Sequence, residues 1–278
     1  MAAAAQPRDF RFAQRRASYR AAQGVFFGVC ALLFAASAAL TIRLCTAMSV
    51  TRGMPMTGGW RMAMAWMRMP SQSWPGAAAS FLGMWVVMMA AMMTPSLVPM
   101  LYRFHQAVGA SGRLRLGRLT ALAALGYFFV WSVFGMAAYV LGGALAAAEM
   151  RQPVLSRAAP IAADVVVLVA GVLQFTAWKA RCLGCCREAS QRGRALSAGA
   201  GAAVRYGLRL GVQCGCCCAN LMAILLVMGI MDLRVMAGVT AAITVERLAP
   251  AGERAARAVG AVAIGAGLFQ IAQAAAPR

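Results

Sequence analysis

Acidic residues and histidine are scarce in this chain: its 278 residues include 7 Asp and Glu and a single histidine, His105. The lack of histidine excludes a zinc site built on several imidazole ligands. The Gly-x-x-x-x-Gly-Lys-Ser/Thr pattern is also absent from the sequence, which excludes a nucleotide-driven motor that binds phosphate through this loop. Any metal chemistry in this chain must therefore rest on other side chains.

Long apolar runs take up most of the sequence. Hydrophobic residues make up 62% of it, more than soluble domains contain. Most of the runs hold the ~20 residues that a bilayer-crossing helix needs. We predict an all-α fold, a polytopic membrane helical bundle of about seven transmembrane helices. The predicted spans are 24–43, 80–102, 119–148, 160–180, 209–231, 233–248 and 256–275, of which 233–248 is short and 256–275 is mostly Ala and Gly.

The net charge of +20 is distributed according to these spans. Lys and Arg concentrate before the first span and in every second connection after it, which is the positive-inside pattern of membrane proteins. The pattern predicts a multi-pass protein of the cell (inner) membrane, with a basic cytoplasmic N-terminal segment at 1–23 and an integral membrane helical domain at 24–278. It predicts contact with the lipid bilayer. It argues against nucleic-acid binding, since no basic module interleaved with aromatic residues is present.

Seven of the nine cysteines form two clusters. The residues are Cys182, Cys185 and Cys186 in "KARCLGCCRE", and Cys214, Cys216, Cys217 and Cys218 in "QCGCCCANLM". Spacings of i, i+3 and i+4 place three thiols of each cluster on one helix face and leave Cys216 outside the set. The predicted topology puts both clusters at the cytoplasmic ends of consecutive antiparallel spans, where the two thiol faces can meet.

Clustered thiolates are soft ligands, which select Cu(I), Zn(II) or iron–sulfur clusters over harder ions. We predict that the two thiol faces bind a metal, with copper as Cu(I) preferred and zinc less favoured. A second interpretation is a membrane thiol–disulfide oxidoreductase, since each cluster contains a Cys-x-x-Cys pair. A third is that buried cysteine acts as a small hydrophobe, which fits Cys30 and Cys45 better than it fits the clusters.

Methionine is abundant, with 20 residues, and it is concentrated in two places. The predicted external loop at 46–79 includes Met54, Met56, Met62, Met64, Met67 and Met69. The second span contains neighbouring helical stripes that include Met88, Met89, Met92 and Met93. Thioethers bind Cu(I) weakly enough to pass it on, although methionine also fills irregular membrane cores. We predict soft-metal capture by the loop and, for the span, either metal relay or simple packing.

Ionisable side chains within apolar runs are functional candidates by default. Glu246 lies at the inner end of the sixth predicted span, and we expect it to pair with Arg247 or Arg209 in a structural role. His105 lies at the cytoplasmic end of the second span. It is either a solvated surface residue or an accessory ligand.

Several motifs of the chain resemble one known family. The stretches "WVVMMAAMMTPSLVPM" (85–100), "KARCLGCC" (179–186) and "GLRLGVQCGCCCANLM" (207–222) are similar to those of the DUF2182 group of predicted metal-binding integral membrane proteins. The resemblance begins at about residue 80, and it implies a metal-related role, with copper delivery to copper enzymes in some members. The residues that it implies are Met88, Met92, Met93, Cys182, Cys185, Cys214, Cys217 and Cys218.

Together these patterns predict a membrane protein, not an enzyme, that binds and relays Cu(I) as a copper chaperone or transporter. The predicted metal ligands are Cys182, Cys185, Cys186, Cys214, Cys217, Cys218, Met88, Met89, Met92 and Met93. A copper-accepting protein or cuproenzyme is the expected partner. The sequence sets neither the direction of metal movement nor the oligomeric state.

Overall fold

Helices make up most of the structure. The computed structural model describes residues 7–50, 54–56, 61–62, 66, 72–108, 113–192 and 199–275. The helices are α1 (Pro7–Val50), α2 (Trp74–Val108), α3 (Arg113–Arg151), α4 (Pro153–Leu173), α5 (Ala177–Arg192), α6 (Ala200–Met228), α7 (Leu233–Leu248) and α8 (Gly252–Ala275). Two short strands, β1 (Met54–Pro55) and β2 (Arg61–Met62), pair antiparallel with Met54 opposite Met62. The predicted helical membrane bundle is confirmed.

Six helical segments of the described chain are long and apolar enough to cross a membrane. They are Gln23–Met48, Trp74–Gln106, Gly117–Arg151, Pro153–Leu173, Ala200–Met228 and Gly252–Gln273. The predicted span at 233–248 coincides with α7, whose 16 residues rise about 24 Å, less than the ~30 Å hydrocarbon core of a bilayer. The structure and the prediction of about seven crossings therefore differ at this one short helix.

The centre of the bundle is formed by α2 and α6. In each of them 56% of the apolar segment is buried, against 6% for α1. Helix α3 packs along α6 and α2, α4 packs against α8, and α1 covers one side of α2. The outer helices carry exposed apolar side chains such as Leu32, Phe129 and Val262. Groups that must be shielded from both lipid and water therefore lie on α2 and α6.

Helices α3 and α6 approach closely because glycines line the surface of α6 that faces α3. Gly207, Gly211 and Gly215 recur every four residues in "GLRLGVQCG". A Cβ atom at Gly211 would lie 3.0 Å from the carbonyl oxygen of Tyr127, and one at Gly207 would overlap the carbonyl of Ala123. Small residues at such spacing allow close helix packing in membranes. This contact fixes which side chains of α3 reach the middle of α6.

Two helix breaks lie near each other. Helix α4 ends in a tight turn at residues 174–176, whose N–H groups donate to carbonyls three residues earlier. The hydroxyl of Thr176 accepts from the N–H of Lys179 at 3.4 Å, which caps the start of α5. The break between α7 and α8 is close by, because Gln174 Nε2 donates to Glu246 Oε1 at 2.8 Å. The fourth predicted span is therefore a broken helix, made of α4 and α5.

Candidate metal centre

The second cysteine cluster lies on the buried face of α6. Cys214, Cys217 and Cys218 are each at most 1% exposed, whereas Cys216 is exposed. This is the division that a helical spacing of i, i+3 and i+4 predicts. Three of the four thiols therefore face the bundle interior.

The position of this cluster along its helix differs from the prediction. Helix α6 begins at Ala200, well before the predicted start at 209. Arg205 and Arg209 are exposed within it, and long basic side chains can extend toward the membrane surface while the helix continues. Cys214 lies about 20 Å along the axis from either end of α6. The cluster therefore lies in the middle of helix α6 rather than at its first turn, and its placement at the cytoplasmic end of the span stays a prediction.

Helix α5 brings the first cysteine cluster against α6. The buried thiol of Cys186 donates to the carbonyl oxygen of Gln213 at 3.3 Å and interacts with the thiol of Cys217. Cys182 is half-buried and interacts with the neighbouring Cys217. Cys185 is exposed. The two clusters therefore meet mainly through the buried Cys186, with Cys182 at the edge of the contact, and not through two matched faces of three thiols.

Four buried thiols form a continuous group, which we call the thiol cluster: Cys186, Cys214, Cys217 and Cys218. Sγ of Cys214 lies 3.8 Å from Sγ of Cys218, and Cys217 interacts with both Cys186 and Cys218. Tyr127 on α3 donates its hydroxyl hydrogen to Cys214 Sγ at 3.1 Å. Each sulfur atom of the thiol cluster thus interacts, without a covalent bond, with at least one other sulfur atom of the cluster. Among the described residues, no group of three or more His, Cys, Asp or Glu side chains is arranged to hold a metal ion.

A buried arginine contacts the thiol cluster from α7. Arg247, in the last turn of that helix, is 5% exposed. Its Nη1 donates to Cys214 Sγ and to Ser96 Oγ, both at 2.9 Å, and its Nη2 donates to Met100 Sδ at 3.0 Å. Its Nε has no hydrogen-bond partner in the part of the chain that the structure describes. The guanidinium therefore joins a thiol of α6 to a thioether of α2.

The acid next to this arginine is bound elsewhere. Glu246 Oε2 forms a salt bridge of 2.7 Å with Nζ of Lys179, and both side chains are almost fully buried. Lys179 Nζ also donates to the carbonyl oxygen of Cys217 at 2.7 Å and to Asn220 Oδ1 at 3.4 Å. The predicted pairing of Glu246 with a nearby arginine is wrong. Consecutive residues of a helix do not face each other, so Glu246 and Arg247 reach different partners.

The predicted methionine stripes of α2 lie in the same buried core as the thiol cluster. The four residues are at most 2% exposed and belong to one apolar cluster with the α6 thiols: Met88, Met89, Met92 and Met93. Ser96, which accepts from Arg247, follows Met92 by one turn. Met88 is a further turn away, about 12 Å from Ser96 along the axis. The methionines therefore extend from the level of the thiol cluster toward the N-terminal end of α2.

Comparison with known families identifies the kind of protein. A family model described as PpoB2, copper chaperone, matches residues 82–270. The chain belongs to this copper chaperone family. No curated protein and no solved structure matches it. The matched region runs from α2 to α8, so it contains the thiol cluster, Arg247 and the four buried methionines. The resemblance of the sequence motifs therefore holds at the level of copper chaperones.

Other predicted ligands of this copper chaperone lie apart from the thiol cluster. His105 Nδ1 is 3.4 Å from Thr120 Oγ1, and its ring packs on Phe26. In the predicted external loop, Met54 is exposed and Met62 lies opposite it in the strand pair. Met56 is half-buried, and Met64, Met67 and Met69 lie outside the described residues.

Three side chains that surround the thiol cluster were not predicted as part of a site: Arg247, Lys179 and Tyr127. For Arg247 and Lys179 a signal was present, because a basic residue in or beside an apolar run requires a partner inside the bundle. For Tyr127 the signal was indirect. The glycine spacing on α6 predicts a close neighbour helix, but not which residue of that helix points at a cysteine.

Proposed function

We propose that this copper chaperone binds Cu(I) at the thiol cluster, inside the membrane bundle, and delivers it to a copper-accepting protein. One observation carries the proposal: four thiols of α5 and α6 are buried together, and a guanidinium contacts one of them. A neighbouring positive charge favours the thiolate, which is the form that binds metals. Membership of the copper chaperone family supports copper as the ion.

The ligand types favour Cu(I) among copper and zinc ions. Sulfur donors prefer Cu(I) to harder ions, and the carboxylate of Glu246 is already bound by Lys179 and Gln174. Cu(I) forms complexes of low coordination number, so a pair of thiols suffices. The sulfur atoms of Cys214 and Cys218 are 3.8 Å apart, so two thiolate–metal bonds of about 2.3 Å would meet at a bent angle, and a side-chain rotation at one cysteine would widen the pair for a two-coordinate ion. Zinc takes four ligands, which would require several thiols to move together.

In this proposal the α2 methionines pass Cu(I) between the predicted external side and the thiol cluster. They lie on successive turns of one helix at the level of the cluster and beyond it. A neutral thioether releases Cu(I) more readily than a thiolate does, which suits transfer. On α5, the half-buried Cys182 and the exposed Cys185 continue the row of sulfur ligands beyond Cys186. The arrangement allows movement in either direction.

The proposed role is non-enzymatic. A thiol–disulfide oxidoreductase requires that the disulfide of its substrate reach the attacking thiolate. Cys214 and Cys217, the Cys-x-x-Cys pair of α6, are 0% and 1% exposed. Their burial therefore supports metal binding over thiol exchange with another protein at this pair, whereas the pair on α5, Cys182 and Cys185, is more exposed.

Copper analysis of the purified, reduced protein tests the proposal. The test variant combines Cys214→Ser, Cys217→Ser and Cys218→Ser, and the matched control is Cys216→Ser, which changes the exposed cysteine of the same segment. After loading with Cu(I) and gel filtration against a Cu(I) chelator, we expect the wild type and the control to retain copper and the triple variant to lose it. Circular dichroism verifies that all three proteins are equally helical. Equal copper in the three proteins would refute the thiol cluster as the binding site.

A further inference from the structure

Arg247 is a buried cation that forms no salt bridge with a carboxylate of the described chain. The two other charges of this region, Lys179 and Glu246, neutralise each other at 2.7 Å. The guanidinium therefore adds one positive charge to a region from which water is excluded. An isolated buried charge is strongly unfavourable, and arginine does not lose its proton in proteins. Its hydrogen bond to the thiol of Cys214 indicates where the compensating negative charge forms, because the thioether of Met100 has no proton to lose.

We propose that Arg247 is the counter-ion of the bound metal and holds Cu(I) as a bis-thiolate anion formed with Cys214 and Cys218. The inference rests on the proposed function. To that function the inference adds Arg247 as a positioning residue. It also assigns the charge of the bound ion, a monovalent soft cation held between two thiolates.

The charges balance in this binding step. Two thiols each give up a proton to the solvent, two copper–sulfur bonds form, and the resulting complex carries one negative charge. No electron is transferred, so copper remains Cu(I) and sulfur is not oxidised. The anion and the guanidinium together are neutral, as is the adjacent pair of Lys179 and Glu246. A divalent ion would need a third thiolate for the same balance.

The hydrogen bonds of Arg247 suit this role. Nη1 donates to Cys214 Sγ at 2.9 Å, and a sulfur atom that accepts this bond retains lone pairs for the metal. Ser96 on α2 accepts from the same Nη1 at 2.9 Å, and Met100, also on α2, accepts from Nη2 at 3.0 Å. The planar fork is thereby fixed in direction. Such outer partners orient metal ligands and tune their affinity.

Substitutions at Arg247 test the inference by competition between the protein and a Cu(I) chelator. We expect R247Q to weaken Cu(I) binding at least about tenfold, and R247K, which keeps the charge, to remain within about threefold of the wild type. The matched control is R234Q, the same substitution at an exposed position of the same helix, and we expect it to bind as the wild type does. Thermal unfolding of the metal-free proteins shows whether each variant folds.

A second substitution separates the counter-ion role from a structural one. Cys218→Met replaces a thiolate by a neutral thioether, so the complex loses its negative charge. We expect Cys218→Met to weaken Cu(I) binding when Arg247 is present. In the R247Q background the same substitution should weaken binding much less, because the guanidinium that favours an anionic copper complex is gone. Independent, multiplicative losses would overturn the inference. The inference would also be overturned if R247K lost more than tenfold in Cu(I) affinity while its unfolding temperature stayed unchanged. This second criterion applies even if R247Q does not fold.

The failure of this inference is distinct from failure of the proposed function. If R247Q binds Cu(I) as tightly as the wild type while the triple cysteine variant loses copper, the thiol cluster is the binding site and Arg247 is not its counter-ion. If the triple variant keeps its copper, the proposed function itself is refuted.

Discussion

The hydroxyl of Tyr127 donates a hydrogen bond to Sγ of Cys214 at 3.1 Å, between two fully buried residues on different helices. The glycines of α6 bring α3 close enough for this contact. Cys214 thus accepts from a phenol on one side and from Arg247 on the other. Hydrogen bonds to the charged form of a group stabilise that form. The structure therefore surrounds this sulfur atom with donors suited to a thiolate.

Removal of the phenol is expected to weaken Cu(I) binding. A hydrogen bond of this kind contributes about 1 kcal/mol, so Tyr127→Phe should lower the affinity about fivefold in a chelator competition. The matched control is Tyr206→Phe, since the buried hydroxyl of Tyr206 has no hydrogen-bond partner among the described residues. An equal affinity of the Tyr127→Phe variant and the wild type would contradict a role for the phenol.

The buried pair of Lys179 and Glu246 is expected to control stability. Loss of one partner leaves an uncompensated buried charge, at a cost of about 3 kcal/mol or more. We predict that Glu246→Gln and Lys179→Met each lower the free energy of unfolding in detergent by this amount. The double variant Lys179→Met/Glu246→Leu should lie within about 2 kcal/mol of the wild type, because an apolar pair can replace a buried ion pair. Additive losses in the double variant would show that the two charges act independently.

The α2 methionines distinguish a relay from simple packing. Leucine is close to methionine in volume, and such exchanges in a core usually cost less than about 1.5 kcal/mol. We expect Met92→Leu/Met93→Leu to preserve stability and the final copper content while slowing the loading of the thiol cluster, measured by stopped-flow transfer from a Cu(I) chelator. Met136→Leu on the exposed side of α3 is the control. Unchanged loading in the α2 double variant would assign these methionines to packing.

The apolar runs alone predicted the helical bundle, because long uncharged segments have few alternatives in a membrane. They did not predict the break at residues 174–176. This turn contains neither Pro nor Gly, and its cause is tertiary: Gln174 bonds to Glu246, and Thr176 caps α5. Helix α6 also begins before the predicted start of the span at 209. Hydropathy excludes Arg205 and Arg209 from a span, whereas the backbone tolerates them.

The cysteine spacing predicted which face of α6 is buried, including the exposure of Cys216, because side-chain direction follows helix geometry alone. The same spacing on α5 was less informative. Cys185 is exposed because the direction of α5 is set by the break before it and by the Lys179 contacts. The partner of Arg247 depends on the packing of α7 between distant segments, and no local pattern encodes it.

The glycine contact between α3 and α6 gives a prediction about the whole site. Gly211→Leu would place a side chain against the backbone of Tyr127 and separate the two helices. We expect lower thermal stability together with weaker Cu(I) binding, since Tyr127 and Cys214 move apart. Gly201→Leu, also on α6 but with open space around it, should change neither quantity. Retained copper affinity in the Gly211→Leu variant would show that this contact does not position the thiols.

The charges of α7 bear on how the protein is made. This helix is short and carries Glu246 and Arg247 at buried positions, so it enters lipid unfavourably by itself. The groups that form hydrogen bonds or a salt bridge with these two side chains precede α7 in the chain: Ser96, Met100, Gln174, Lys179 and Cys214. During synthesis the cleft that receives α7 is therefore already available when the helix emerges. Its insertion then brings Arg247 to the thiol cluster, and α8 follows to pack on α4.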